Sequence, residues 1–436
     1  MRPVVIVGGG LSGLAAGVTL SRLGVPVLIL EQKPFLGGRA YSFRDAATGA
    51  VVDNGQHLLI CGYDATFSLL TTIGTVNLVR VQKRPELTFF HPDRGFCTLR
   101  LPRLPSPVHL FAGMIRTTLF SRSEKGEILR GGAALLRDEA TVPEEWTVAA
   151  WLRAHGQGEE TLRSFWEPVA IAIMNEHVGS ASARVFVRSL RTAFLSRWQG
   201  AALATPAVGL SELYAGAARG YIERHGGSVR TSSAAEGVRI ARNNVDAVLV
   251  RQGGSVECRA VIAAVPPRSA VRVLPPEAAA LLAPLETVPA SPIVSLHLWF
   301  PGSFMMHDVV GVIGRRIQWI FRKERYISAT ISAARRFVTC SDRELVSLAV
   351  EDLQAIYGEG IGHPLHSLVI REKRATFSCS PAAERVRPDN ATPVANLFLA
   401  GDWTGTGLPA TIESAVVSGN RAADMVVRCL RAAPPP

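Results

Sequence analysis

The sequence predicts an α/β protein in which one domain is assembled from three separated stretches and a second, α+β, is inserted twice. Three observations predict this. A strand, a glycine-rich turn and a helix open the chain at Val4–Gly13. Strands of the same kind return in mid-chain and again near residue 397. Two blocks of different character lie between them. At 436 residues the chain exceeds what one hydrophobic core usually serves. With 47% hydrophobic and 19% charged residues it is globular. The divisions fall at 1–58, 201–290 and 390–433 for the discontinuous domain, and at 59–200 and 291–389 for the inserted one.

Taken in order, residues 3–31 read as strand, glycine turn, helix, strand. A strand-like stretch and loop run to about residue 58. Residues 60–200 are richer in helical patterns and carry most of the Trp and Phe. From Gly226 strands return at Val229-Arg-Thr, Gly237-Val-Arg-Ile, Ala247-Val-Leu-Val and Ala260–Val265, the last stopped by Pro266-Pro267. Ile293–Phe300 is a further strand and 341–357 a helix. Asn396–Ala400 reads as a buried strand, and a helix from about Ile412 to Leu430 precedes a frayed tail at Pro434–Pro436.

The formal charge is +11, from 47 basic and 36 acidic residues. Such a surplus favours an anionic partner. Between Arg94 and Arg130 seven basic and two acidic residues surround the apolar segment 104–115. Basic residues flanking an apolar stretch suit a bilayer surface better than a nucleic-acid groove. A buried helix with a solvated basic edge shares the pattern. We therefore expect an anionic membrane surface facing 94–130, or a buried segment, and no nucleic acid. The chain enters a strand directly after Met1-Arg2-Pro3, and it has no run of about 18 apolar residues. We expect neither an export signal nor a spanning helix, and a cytoplasmic protein peripheral on the inner membrane face. The six cysteines are scattered without a C-x-x-C pair, so neither a metal site nor a disulfide framework is expected.

Gly8-Gly9-Gly10-Leu11-Ser12-Gly13 fits G-x-G-x-x-G in the strand-to-helix context that motif requires, which makes the first domain Rossmann-like. Gly8 allows the tight turn, Gly10 lets backbone approach a pyrophosphate, and Gly13 lets helix and strand pack. The helix amino-terminus at Leu11 and Ser12 offers orphan N–H groups to phosphate. Glu31, closing the second strand with Gln32 after it, can accept from ribose hydroxyls and disfavours a 2′-phosphate. The motif by itself does not separate NAD from FAD.

The next residues do. Gly37-Gly38-Arg39 resembles the second glycine pair of the flavin amine oxidase and phytoene desaturase superfamily, which implies FAD. The resemblance implies that Arg39 reaches the FAD phosphates. Gly401-Asp402-Trp403-Thr404, with Ile412-Glu413-Ser414-Ala415-Val416 and Ser418-Gly419, resembles the superfamily's second FAD signature. There Asp402 would meet the pyrophosphate–ribityl region, and a helix amino-terminus near Ile412 would point at the flavin ring. The mid-chain adenine contact maps to Ala235 or Val238. Amine oxidases hold a lysine near flavin N5 where this chain has Ser295, and an aromatic residue where it has Thr411. Both departures argue against amine substrates.

A narrower resemblance rests on Val52-Asp53-Asn54-Gly55-Gln56-His57-Leu58-Leu59, with Trp166-Glu-Pro168, Met174-Asn175 and Pro206-Ala-Val-Gly-Leu-Ser211. These are similar to the hydroxysqualene dehydroxylases. That family implies reduction of hydroxysqualene, a long-chain isoprenoid, to squalene for hopanoid or sterol synthesis. The hydroxyl must leave as water, so an acid is needed in a dry apolar tunnel. The resemblance places loop 53–57 beside the flavin, with Gly55 and Gln56 as cofactor contacts. His57 is the preferred proton donor, oriented by Asp53 or Gln56; alternatively Asp53 and His57 only hold the loop and the flavin. Asn175 lines the tunnel or caps a helix, and His297 ranks below His57. Exposing about thirty carbons to water costs on the order of 20 kcal/mol, so substrate should enter from the bilayer. Other squalene-pathway enzymes are expected partners. The alternatives are a phytoene-type desaturase, running hydride the other way, and a non-catalytic FAD-binding protein.

Overall fold

The computed structural model describes residues 2–432 except 138, 196–197 and 252–253; the tail expected at 434–436 lies outside them. Four-residue runs of β-branched and leucine side chains make the first two strands, Val4–Val7 and Val27–Leu30, buried on both faces as parallel strands must be. They form the centre of a five-stranded parallel sheet. Its order is Ser228–Arg230, Val27–Leu30, Val4–Val7, Ala260–Ala263, Leu397–Leu399. The α/β reading holds.

One face of this sheet (Val4, Ile6, Ile29) packs on the helices Leu11–Arg22 and Ile412–Ala432. Small residues let those helices meet. A Cβ on Gly419 would fall 2.2 Å from the Ser12 carbonyl oxygen. The other face (Val5, Val7, Leu28, Leu30) packs on the 270–285 segment and on the strand Asn244–Val250.

A second sheet has seven strands in the order His366–Phe377, Ala290–Trp299, Ile327–Ile331, Trp319–Arg322, Val309–Val312, Glu86–His91, Gly95–Arg100. Its last two strands come from the region read as helical. They form a hairpin through His91-Pro-Asp-Arg-Gly95, with Gly95 at φ +64°. Pro92, Asp93 and Gly95 are turn residues that mark it. One face of the sheet (Val294, Leu296, Ala329, Ile331, Ile320, Val310) packs under the helix Asp342–Tyr357. That helix begins with a Ser341/Glu344 capping box. Among the described residues no helix is long and apolar enough to cross a membrane, and no group of three or more possible metal ligands occurs.

Candidate active site

A cavity of about 850 Å³ is lined by both the glycine turn of the parallel sheet and the free face of the seven-stranded sheet. At the glycine end, Gly8 sits at φ +113°, and a Cβ there would lie 2.4 Å from the Ala264 carbonyl oxygen. The loop 37–40 packs onto this turn. Gly37 N–H donates to the Gly9 carbonyl at 3.0 Å, and a Cβ on Gly38 would lie 3.0 Å from the Gly10 Cα. The helix Leu11–Arg22 has Gly10 at its N-cap and no side-chain cap, so its first N–H groups face the cavity unclaimed by a side chain. Buried Glu31 accepts from the N–H of Gly9 (2.7 Å) and of Lys33 (2.8 Å), which fixes its carboxylate beside the turn.

Arg39 and Asp402, 363 residues apart, form an ion pair at the cavity wall. Asp402 is held from behind. Its carbonyl accepts from Arg387 Nη2 at 2.8 Å, while Arg387 Nη1 reaches Glu384 and the Leu408 carbonyl. Arg387 is buried and carried no signal in the sequence. Gly8, Gly10, Leu11, Ser12, Glu31, Gln32, Gly37, Gly38, Arg39, Gly55, Gln56, Gly401, Asp402 and Ile412 all line the cavity. Of the two mid-chain candidates, Ala235 lines it and Val238 packs into the core instead. Gly13 stands behind the wall, where a Cβ would lie 2.0 Å from the Gly8 carbonyl oxygen. Thr411 accepts from Ser414 N–H at 3.2 Å and so caps the last helix.

The loop after the strand Val51–Asp53 divides in two. Asp53 is buried and outside the cavity lining; its carboxylate accepts from Ser42 Oγ (2.7 Å) and Leu210 N–H (3.1 Å). It makes no hydrogen bond to His57. Asn54, Gly55, Gln56 and His57 do line the cavity. His57 Nδ1 donates to the Gly55 carbonyl at 2.9 Å. Burial pushes the His57 ring below its ordinary value, against the opposing pull of Asp53 and the Gly55 carbonyl. A neutral ring with its proton on Nδ1 leaves Nε2 as an acceptor. The buried amide nitrogen of Gln56 has no partner among the described residues. His297 is a core residue: its Nε2–H donates to the Asp53 carbonyl at 3.1 Å and its ring meets Tyr326 edge-on. Burial pushes it down to about 4. Asn175 both caps and lines. It ends the helix Glu167–Met174 at φ 51°, holds Ser291, Thr376 and Ala333 through its amide, and borders the cavity.

The register of the seven-stranded sheet explains its cavity face. Paired residues on neighbouring strands share a face. Glu372 pairs with Ile293; two residues on, Ser295 pairs with Thr330, Thr330 with Trp319, Trp319 with Gly311, and Gly311 with Phe89. The wall is therefore polar at Glu372, Ser295 and Thr330, and aromatic at Trp319, Phe321 and Phe89. A Cβ on Gly311 would meet the Phe89 ring at 2.6 Å, so glycine there lets that ring lie against Trp319. Phe120, Phe165, Val169 and Ile173 continue the apolar part. Glu372, Thr330 and this aromatic run were absent from the sequence reading.

A glycine cradle without side chains, an uncapped helix terminus, a fixed carboxylate and a bridged arginine suit a dinucleotide, and the apolar arm suits a hydrocarbon substrate. The profile of the flavin-containing amine oxidoreductases matches residues 11–427. The chain belongs to that family, its cofactor is FAD, and it is an oxidoreductase. Its relatives narrow the class. It is 32% identical to hydroxysqualene dehydroxylase of Rhodopseudomonas palustris, over 99% of this chain and 100% of that one. It is also 32% identical to the enzyme of that name from Sinorhizobium fredii, over 98% of each. The 15-cis-phytoene desaturase of Synechococcus elongatus is more distant, at 21% over 97% and 95%. Among solved structures, wild-type putrescine oxidase bound to putrescine superposes with a TM-score of 0.73 at 18% identity, over 98% and 99%. Cyclohexylamine oxidase from Brevibacterium oxydans gives 0.72 at 17%, over 99% of each chain. At those identities the likeness is one of fold.

Proposed function

We propose that this protein reductively removes the hydroxyl of hydroxysqualene to give squalene. Full-length similarity to two hydroxysqualene dehydroxylases carries the reading. The cavity wall agrees with it: one polar patch joined to a long apolar arm matches one hydroxyl on a hydrocarbon chain. FAD, when bound and reduced, supplies hydride.

The protein's own residues would do the rest. The turn at 8–13, with Glu31 and Arg39, would hold the dinucleotide; loop 54–57 and the 401–412 segment would border its ring. The residues that form the parallel sheet support a cofactor domain at 1–58, 201–290 and 390–433. The seven-stranded sheet supports a substrate domain at 59–200 and 291–389. His57 remains the sequence's candidate acid, and its burial means that it would act only after gaining a second proton. With no bond from Asp53, the Gly55 carbonyl is what orients it among the described residues.

We place the protein on an anionic membrane surface on the cytoplasmic side, through the 94–130 segment. The helix Val108–Arg116 buries His109, Gly113 and Met114 and exposes Val108 and Ile115, with Leu104 beside it. Ser106 Oγ donates to the Leu195 carbonyl at 2.9 Å, next to Thr192, Ala193 and Phe194 of the cavity wall. The exposed apolar patch thus adjoins the apolar arm, a short path for substrate from lipid. Other squalene-pathway enzymes would meet it at the same surface.

The test is anaerobic incubation of the FAD-loaded protein with a reductant and hydroxysqualene, followed by organic extraction. Squalene is the expected product. A conjugated polyene from phytoene, with no squalene, would replace this reading by a desaturase.

A further inference from the structure

We propose that Glu372 delivers the proton to the leaving hydroxyl, an inference that rests on the reading of the substrate as hydroxysqualene. Among the described residues, the ionisable side chains that line the cavity beyond the dinucleotide cradle are His57, Tyr63, Glu372 and Glu413. Glu413 is committed elsewhere. Its two oxygens accept from Ala65 N–H, Thr66 N–H and Thr66 Oγ, and so close the first turn of the helix Asp64–Ile73. His57 has its Nδ1 proton on the Gly55 carbonyl, and its neutral Nε2 offers a lone pair. Tyr63 packs against the hydrophobic core behind the cradle.

Glu372 is different on three counts. It stands on the cavity face of the sheet, paired with Ile293 and two residues along from Ser295. Its Oε1 accepts from Asn54 Nδ2 at 2.9 Å. Asn54 cannot turn over, because its Oδ1 accepts from Tyr41 N–H (3.0 Å) and its Nδ2 also donates to the Arg39 carbonyl (2.9 Å). The second oxygen, Oε2, has no hydrogen bond among the described residues. A carboxyl fixed through one oxygen beside the cofactor loop thus borders the cavity with its second oxygen uncommitted among the described residues.

In the step, the Glu372 O–H proton passes to the substrate hydroxyl. The C–O bond breaks with its electron pair going to oxygen, which leaves as water. The carbon gains a hydride from reduced FAD, which is oxidised by two electrons. Glu372 is left as carboxylate and regains a proton from solvent.

The experiment uses FAD-loaded protein and two variants. With oxidised FAD no hydride is available, so binding of hydroxysqualene and of squalene is read without turnover from the flavin absorbance. Turnover is read separately with reductant. Wild type should bind the alcohol about tenfold more tightly than the hydrocarbon. Glu372→Gln should keep that preference and the FAD spectrum while turnover falls roughly 10²- to 10⁴-fold. Glu372→Leu should lose the preference as well. Wild type making squalene with Glu372→Gln within threefold of it overturns the proposal. If wild type neither makes squalene nor prefers the alcohol, the substrate reading itself has failed and the proposal falls with it.

Discussion

At the scale of single residues, two buried groups differ in what they support. The Glu31 carboxylate takes two backbone N–H groups of the cradle. Glu31→Ala orphans both, at about 1–3 kcal/mol for a buried unsatisfied donor. We expect FAD affinity to fall at least tenfold, measured as flavin retained through gel filtration; unchanged retention would mean that the ribose is held elsewhere. His297 instead supports the core. Its ring is pushed down to about 4 by burial, so the unfolded chain, titrating near 6.5, binds a proton that the folded chain refuses. Its contribution is whole above about pH 6.5 and shrinks as pH falls towards 4, by on the order of 3 kcal/mol. Denaturant midpoints should therefore fall less between pH 7 and 4 in His297→Gln than in wild type. Parallel curves would show that the ring titrates normally.

At the scale of elements, the crossing of Leu11–Arg22 and Ile412–Ala432 depends on absent side chains. Gly419→Ala would set a methyl 2.2 Å from the Ser12 carbonyl oxygen, forcing the helices apart. Overpacking of this kind typically costs about 1–3 kcal/mol. Because Ser12 borders the cavity, we expect a lower melting temperature together with weaker FAD retention; loss of neither would mean that the pair adjusts freely. Elements of this sort were legible in the sequence wherever local pattern and position agree. The runs Val4–Val7 and Val27–Leu30, the glycine turn and the 341–357 helix all read directly. The hairpin at 86–100 did not, because Glu86–His91 lies between helical stretches and only its turn residues mark it. Glu372 was illegible for another reason. Its strand His366–Phe377 carries four charged residues in a row, Arg371–Arg374, and only the pairing with Ile293 marks Glu372 as the one beside the cavity. Asp53 shows the converse: a carboxylate two residues from cavity-lining Gly55 that its strand turns towards Ser42 and Leu210.

At the scale of the whole molecule, the proposed membrane docking rests on a net charge of +11 and on the exposed apolar side chains of the helix Val108–Arg116. Val108→Ser, Ile115→Ser and Arg116→Gln change only exposed side chains. The triple variant should lose most of its co-flotation with anionic vesicles and keep its melting temperature; undiminished flotation would move the docking surface elsewhere. The parallel sheet has a consequence of its own. Its edge strand Leu397–Leu399 and Asp402, the partner of Arg39, come from the far end of the chain. While the ribosome is at work, Arg39 has no Asp402 to meet. At about 5–20 residues per second, the 363 residues between them take roughly 20 to 70 s to appear. Throughout that interval the nascent chain carries a glycine turn with one wall missing. The cradle wall that Arg39 and Asp402 share is thus complete only when synthesis is nearly over, and a prematurely terminated product never has it.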